Sequence, residues 1–86
     1  MMEVRILYFA WLRERAGRAE ESVALPQHVG TVGALMAWLG VRDSGLAEAF
    51  AIPRLVRAAV NQQFASAETP ITAGDEIALF PPVTGG

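Results

Sequence analysis

The sequence contains no cysteine, which excludes thiol catalysis, disulfides, zinc–thiolate sites and iron–sulfur clusters. It also contains no lysine, so its 7 basic residues are all arginine. The arginines are scattered and the formal net charge is -2, which argues against nucleic acid as a partner. No apolar run reaches the ~18 residues of a membrane span. Because the start also lacks the features of a signal peptide, we expect a cytoplasmic protein without membrane contact.

The length and composition predict one small domain with apolar surface to spare. A chain of 86 residues forms a single domain. Apolar residues make up 52% of it, a large share for a domain with so little interior. We therefore expect part of the apolar surface to meet a partner protein. His28 has no acidic residue, histidine or cysteine clustered near it in the sequence, so we expect no metal site.

Five segments have the β-branched, aromatic or alternating pattern of strands, namely 4–11, 20–25, 57–61, 63–65 and 76–80. One helix is predicted after Thr31, a plausible N-cap, with Gly40 closing it. Its apolar stripe has the spacing i, i+3, i+4, i+7 and consists of Val32, Leu35, Met36 and Leu39. Residues 45–53 fit either an irregular segment or a short helix that covers an edge of the core with Leu46, Phe50 and Ile52.

The first and last strands are both apolar enough to be central, so we expect them to lie side by side. With one helix packed on one face of the sheet, that arrangement is a β-grasp, the ubiquitin-like fold. The predicted class is therefore α+β: a mixed sheet with one main helix on one face and a flexible C-terminal tail. We place the β-grasp domain at 1–80 and an extended Gly-Gly tail at 81–86.

The sequence closes with Phe80 and the tail Pro81-Pro82-Val83-Thr84-Gly85-Gly86. Glycines have no Cβ and can enter a tunnel that any other residue would block. The two prolines fix φ and keep the chain from continuing as a helix or a paired strand. At ~3.3 Å per residue, six extended residues reach about 20 Å. This pattern predicts a stiff arm that carries the carboxylate of Gly86 into the active site of another protein.

Alternation along the central strands predicts a docking surface beside the tail. Arg5 and Glu76 each mark one face of their strand as exposed. Leu7 and Phe9 share the face of Arg5, while Ala78 and Phe80 share that of Glu76. We therefore expect a partner-binding apolar patch that consists of Leu7, Phe9, Ala78 and Phe80. The alternative for Phe80 is a core phenylalanine at a strand end.

Several blocks together resemble one known family. They are Tyr8-Phe9-Ala10, Arg13-Glu14, Ala59-Val60-Asn61-Gln62, Gly74-Asp75-Glu76 and the terminal Phe-Pro-Pro-Val-Thr-Gly-Gly. In these blocks and their spacing, over essentially its whole length, the chain resembles the small, sulfur-carrier subunit of molybdopterin synthase, a ubiquitin-like family.

The resemblance implies a mechanism in which Gly86 is the reacting residue. An adenylating enzyme would use ATP to activate the Gly86 carboxylate, and a sulfur donor protein would convert it to a thiocarboxylate. The tail would then enter the large synthase subunit, in a heterotetramer, and give its sulfur to cyclic pyranopterin monophosphate. The small subunit of this sulfurtransferase would carry the sulfur, bind no cofactor and supply none of the acid–base groups.

Three other functions remain open at this stage. The chain could carry sulfur for thiamine synthesis or for tRNA thiolation. It could be a ubiquitin-like modifier that is joined through Gly86 to lysines of other proteins. It could also be an interaction module whose tail is incidental. The Pro-Pro-Val-Thr sequence before the diglycine favours the molybdopterin family.

Overall fold

The fold is known from a computed structural model, which describes residues 2–82. Its single sheet has the strands β1 (Met2–Tyr8), β2 (Glu20–Leu25), β3 (Arg57–Val60), β4 (Gln63–Ala65) and β5 (Glu76–Phe80). The strand order is β2-β1-β5-β3-β4, in which β1 and β5 pair in parallel and every other pair is antiparallel. The two central strands thus lie side by side, and the predicted mixed β-grasp sheet is confirmed.

Three helices cover one face of the sheet: α1 (Trp11–Ala16), α2 (Val32–Arg42) and α3 (Ser44–Phe50). Thr31 caps α2 as predicted, because its hydroxyl accepts a hydrogen bond from the Ala34 amide at 3.2 Å. Gly17 ends α1 with φ 76°, the left-handed conformation that glycine adopts without strain. No described helix is both long enough and apolar enough to cross a membrane.

The prediction that Gly40 closes the main helix is wrong, because α2 continues to Arg42. Gly40 lies inside the helix, where a Cβ would be 3.5 Å from the Cα of Ala47 in α3. That distance is an ordinary van der Waals contact, so α2 and α3 pack against each other with room for a methyl group at this position. The chain turns at Asp43, which is extended at φ -136° and whose carboxylate accepts from the Gly45 amide at 3.1 Å.

Of the two readings for residues 45–53, the short helix is correct over most of the segment. Leu46 is completely buried, and Phe50 packs against the core from the end of α3. Ile52 was expected to cover the core as well, but it is 45% exposed. It precedes a 3₁₀ turn at Pro53–Leu55, which leads the chain away from the helix layer and into β3.

The core lies between the sheet and the helices and follows the alternation of the central strands. Val4, Ile6 and Tyr8 of β1 and Ile77 and Leu79 of β5 point into it. From the other side it is filled by large aliphatic residues, namely Leu12, Leu35, Leu39 and Leu46. Because side chains of a strand alternate between faces, Met2 also packs against the core, and the other residues of β1 and β5 lie on the face without helices.

A cluster around Glu21 ties the helix layer to the sheet. The buried Tyr8 hydroxyl donates to Glu21 at 2.6 Å, and Arg42 at the end of α2 donates twice, at 3.1 and 2.7 Å. Arg18 adds a further bond at 2.9 Å. Burial favours a higher Glu21 pKa, but the hydrogen bonds from Arg42 and Tyr8 outweigh it and lower the pKa. Burial and the bond to Glu21 raise the pKa of Tyr8.

Candidate functional site

The outer face of the sheet, opposite the helices, carries an apolar row that crosses four strands. Leu7 of β1 lies opposite Ala78 of β5, Ala78 lies opposite Ala59 of β3, and Ala59 lies opposite Phe64 of β4. Directly opposed residues of neighbouring strands point to the same face. Glu20 of β2, which lies opposite Leu7, ends the row with a charge. The small Ala59 and Ala78 side chains make the centre of the row shallow.

A second apolar group lies at the end of β5, where the tail begins. Phe80 is half-buried on the outer face, and its ring centroid is 6.0 Å from that of Phe64, with the ring planes tilted by 48°. Phe9 follows β1 on the same side, donates its amide to the Leu79 carbonyl at 3.1 Å, and is 42% exposed. We call this surface the outer patch, and it consists of Leu7, Phe9, Ala59, Phe64, Ala78 and Phe80.

Ala59 and Phe64 are the parts of the outer patch that the sequence reasoning missed, although Phe64 is 86% exposed. The signal was the turn at Asn61-Gln62, whose residues have positive φ of 50° and 70°. A two-residue turn of this kind joins antiparallel strands in a fixed register. That register pairs Val60 with Gln63 and therefore Ala59 with Phe64, which puts the aromatic ring on the outer face.

The charges on the outer face lie mostly at the end away from the tail, where the one arginine has an acidic partner. Arg5 forms an ion pair with Glu20 on the neighbouring strand, and the register places Arg5 beside Glu76. The hydrogen bond from Arg5 to Glu20 raises the pKa of the Arg5 guanidinium. Arg5 therefore already has a carboxylate partner within the chain.

Asp75 has a structural role in the turn before β5. Its carboxylate accepts from the Thr72 amide at 2.8 Å and from the Asn61 side chain at 2.9 Å, and these two bonds lower its pKa. The Asn61 amide oxygen in turn accepts from the Glu76 amide at 3.0 Å. The Gly-Asp-Glu block of the sequence thus fixes where β5 begins.

The tail starts at the edge of the outer patch. Pro81 and Pro82 follow β5 directly and are half-buried. Pro82 lines a cavity of about 370 Å³ together with Arg57, Phe64 and Phe80. The remaining predicted tail residues, Val83, Thr84, Gly85 and the reacting Gly86, lie outside the described residues, so the division at 80/81 and the role of Gly86 stay predictions.

A larger cavity of about 540 Å³ lies on the helix side, between α2 and α3. Its lining is mostly apolar and includes Met36, Val41 and Phe50. It shares no residue with the cavity beside Pro82. The helices that line it cover the inner face of the sheet, whereas the tail begins beside the outer patch on the other face. We therefore take the outer patch and the tail that leaves it as the candidate site.

The profile of the ThiS family matches residues 6–86 of the sequence. This chain belongs to the ThiS family. It is 41% identical over 83 residues to the molybdopterin synthase sulfur carrier subunit of Escherichia coli strain K12, a match that covers 96% of this chain and 99% of that protein. The human protein of the same name is 32% identical over 91 residues, which cover 100% of this chain and 97% of the relative. The family expected from the sequence is confirmed.

Solved structures agree with this assignment. The small archaeal modifier protein 1 of Haloferax volcanii has a TM-score of 0.82 at 28% identity, over 96% of this chain and 100% of that one. A chain in the complex of subunits 1 and 2 of the molybdopterin-converting factor from Helicobacter pylori has a TM-score of 0.66 at 26% identity. That match covers 99% of this chain and 100% of the other.

In this ThiS-family chain, the structure brings the four predicted patch residues together on one face. Leu7 and Ala78 lie opposite each other, Phe80 follows in β5, and Phe9 is bonded to the same strand. Phe80 is not a member of the buried core cluster. The partner-binding role of these residues stays a prediction. Within residues 2–82, no three histidine, aspartate or glutamate side chains lie together as metal ligands.

Proposed function

We propose that this chain is the sulfur carrier subunit of a molybdopterin synthase and that Gly86 carries the sulfur. The observation that carries the proposal is the junction at Phe80, where the central strand β5 ends beside the outer patch and leads directly into Pro81-Pro82. The family match supports it, because the matched region extends through Gly85 and Gly86. The near full-length relatives that carry this name support it as well.

The proposed chemistry takes place at the Gly86 carboxylate in three steps. On an activating enzyme, a carboxylate oxygen attacks the α-phosphorus of ATP, and pyrophosphate leaves. The terminal sulfur of a persulfide on a donor protein then attacks the acyl carbon, and AMP leaves. A second thiol of the donor cleaves the S–S bond and forms a disulfide with the donor cysteine, which leaves a thiocarboxylate on Gly86. In the large synthase subunit the sulfur passes to cyclic pyranopterin monophosphate, and water restores the carboxylate. Two such transfers complete one product.

The residues of this chain are suited to carrying sulfur rather than to catalysing its transfer. A thiocarboxylate is more acidic than a thiol, so it is an anionic nucleophile at neutral pH without help from a neighbouring base. Among the described residues, the Tyr8 hydroxyl is the one fully buried titratable group, and it lies in the core, where it donates a hydrogen bond to Glu21. ATP and the acid–base groups therefore belong to the partner enzymes in this proposal, and the chain itself binds no cofactor.

The outer patch is the surface proposed to hold the large subunit while the tail is inserted. It is apolar, contains three aromatic rings and lies where the tail begins, which are features of an interface centre. The related chain from Helicobacter pylori was solved in a complex of two subunits. We extend this to a heterotetramer of two small and two large subunits. The cytoplasmic location expected from the sequence stays a prediction.

Mass spectrometry tests the proposal directly. After incubation with the activating enzyme, ATP and a sulfur donor, the chain is expected to gain the mass of one oxygen-to-sulfur exchange, localised to Gly86. A chain that lacks Gly86 is the control, and it should fold normally but remain unmodified. An unchanged mass of the intact chain, with a known carrier converted in a parallel reaction, would refute the assignment of Gly86 as the sulfur carrier.

Protein modification is the second candidate function, because a close structural relative is named a small archaeal modifier protein. In that case Gly86 would form amide bonds to lysines of other proteins. The chain has no lysine of its own, so its side chains could not accept further copies. Lysine-linked conjugates in cells that express a tagged chain would support this function, and their loss with Gly86 deletion is the control.

Copurification of the large synthase subunit, rather than enzymes of thiamine synthesis or tRNA thiolation, would support molybdopterin synthesis.

A further inference from the structure

Arg57 is an exposed cation at the tail end of the outer patch. It is the first residue of β3 and lies directly opposite Phe80 in the antiparallel ladder, so the two side chains share the outer face. With Phe64, Phe80 and Pro82 it lines the cavity of about 370 Å³. A guanidinium group therefore borders the most aromatic part of the patch and the first residues of the tail.

Arg57 differs from Arg5, the other cation of this face, because no side chain in the described part of the chain pairs with it. Arg5 is paired with Glu20 at the far end of the sheet. For residues 2–82, the ion pairs and side-chain hydrogen bonds include none made by Arg57. The tail end of the patch thus combines apolar surface with one positive charge.

Burial of this surface would create an electrostatic problem. A guanidinium that loses its water without gaining a partner costs several kcal/mol, whereas an arginine and a carboxylate form two parallel hydrogen bonds that offset the loss. An interface that covers Phe80 must come close to Arg57, because the two residues are ladder partners. A surface that covers Arg57 together with Phe80 therefore needs an acidic group at this point.

We infer that the large synthase subunit presents a carboxylate to Arg57, next to an apolar side chain that enters the cavity between Phe64, Phe80 and Pro82. This inference rests on the proposed function, since it takes the synthase subunit as the partner. The contact would select that partner by charge. It would also fix the start of the tail, since Pro82 is only two residues beyond Phe80, and Gly86 is within about 13 Å of Pro82 at ~3.3 Å per residue.

The test measures the dissociation constant for the purified large subunit of the same organism by calorimetry, at low and high salt. The variants are Arg57→Glu and Arg57→Gln, with Arg54→Glu as the matched control. Arg54 is also exposed, and its substitution by glutamate changes the net charge by the same amount. It lies in the 3₁₀ turn, however, and lines no part of the cavity beside Pro82. Thermal melting of each variant checks that the fold is intact.

Arg57→Glu is expected to weaken binding at least about thirtyfold, since removal of one partner from a buried charge pair is among the larger interface effects. Arg57→Gln should lie between this variant and the wild type, and Arg54→Glu should change binding less than about threefold because an exposed rim charge contributes little. Replacement of the acidic partner residue of the large subunit by a basic residue should restore binding of the Arg57→Glu variant.

Two results would overturn the inference. One is a dissociation constant for Arg57→Glu equal to that of Arg54→Glu, which would mean that Arg57 stays in solvent at the rim. The other is a loss confined to binding of the activating enzyme, which would assign the carboxylate to that protein. Failure of the wild-type chain to bind the large subunit at all would instead refute the proposed function, so the two failures can be told apart.

Discussion

Substitution of Glu21 is expected to destabilise the fold without altering the outer patch. The Glu21 side chain is only 12% exposed and accepts hydrogen bonds from Tyr8, Arg42 and Arg18. Glu21→Ala leaves the buried Tyr8 hydroxyl without an acceptor, at a cost of about 1–3 kcal/mol. Loss of the Arg42 pair adds only about 1 kcal/mol, because that side chain is 33% exposed and partly screened by water.

The expected total for Glu21→Ala is therefore a loss of about 2–4 kcal/mol in the free energy of unfolding. Glu21→Gln keeps an acceptor for Tyr8 but loses the charge, so about half of that loss is expected. Urea unfolding followed by the fluorescence of Trp11 and Trp38 measures both. Glu20→Gln is the matched control. Glu20 and its partner Arg5 are both exposed, and an ion pair between exposed side chains contributes at most about 1 kcal/mol to stability.

The dependence on pH gives an independent check on the role of Glu21. Its pKa in the folded protein is below the ordinary value of 4.5, so the folded state binds the proton less readily than the unfolded state. The stabilisation by Glu21 is then fully present above pH 4.5 and is lost as the pH falls through the folded-state pKa. The stability gap between the wild type and Glu21→Gln should narrow in acid. Two results would refute the reasoning. One is a difference in stability between the wild type and Glu21→Gln that does not change with pH, and the other is a difference at pH 7 that is no larger than the one caused by Glu20→Gln.

Gly45→Ala should lower the free energy of unfolding by about 1–3 kcal/mol or more, because the new Cβ would lie 2.5 Å from the Arg15 carbonyl oxygen. Gly40→Ala, with its nearest contact at 3.5 Å, should leave the melting temperature unchanged or raise it, and equal losses would contradict this packing argument. Phe80→Ala should weaken binding of the large subunit by about 2 kcal/mol or more, whereas lower stability with unchanged binding would make Phe80 a packing residue only. Phe64→Ala should also weaken binding but change stability by only about 0.5 kcal/mol, since the ring is 86% exposed; calorimetry and melting measure both quantities.

The sequence was sufficient for the sheet because its strands carry a strong pattern. Residues 4–11 are apolar except for Arg5, and residues 77–80 are all apolar, a pattern that favours central positions, and the structure pairs β1 with β5. The outer patch could be predicted for the same reason, since Arg5 and Glu76 mark the exposed face. Phe64 was missed because β4 has only three residues, too few for alternation to indicate a face.

The start of α2 could be predicted from its cap Thr31, but the boundary between α2 and α3 could not. Glycine often marks a helix end, yet α2 continues past Gly40 to Arg42 and packs against α3. Asp43 both ends α2 and caps α3, so a single residue separates the two helices. The residues around it are mostly small and apolar, and their pattern does not show where one helix ends and the next begins. The tail is the opposite case: its chemistry was inferred from residue types alone, and Val83 to Gly86 lie outside the described residues.

The separation of the two faces explains how one small sheet can provide both stability and a docking surface. The inner residues Ile6, Ile77 and Leu79 are fully buried, while their sequence neighbours Leu7 and Ala78 lie outside. A shift of one residue in the β1–β5 register would exchange these sets and destroy both the core and the patch. The core therefore fixes the register, and the register places the start of the tail at the edge of the patch. Variants on the outer face consequently report on binding, whereas variants of the inner face change binding only through loss of the fold.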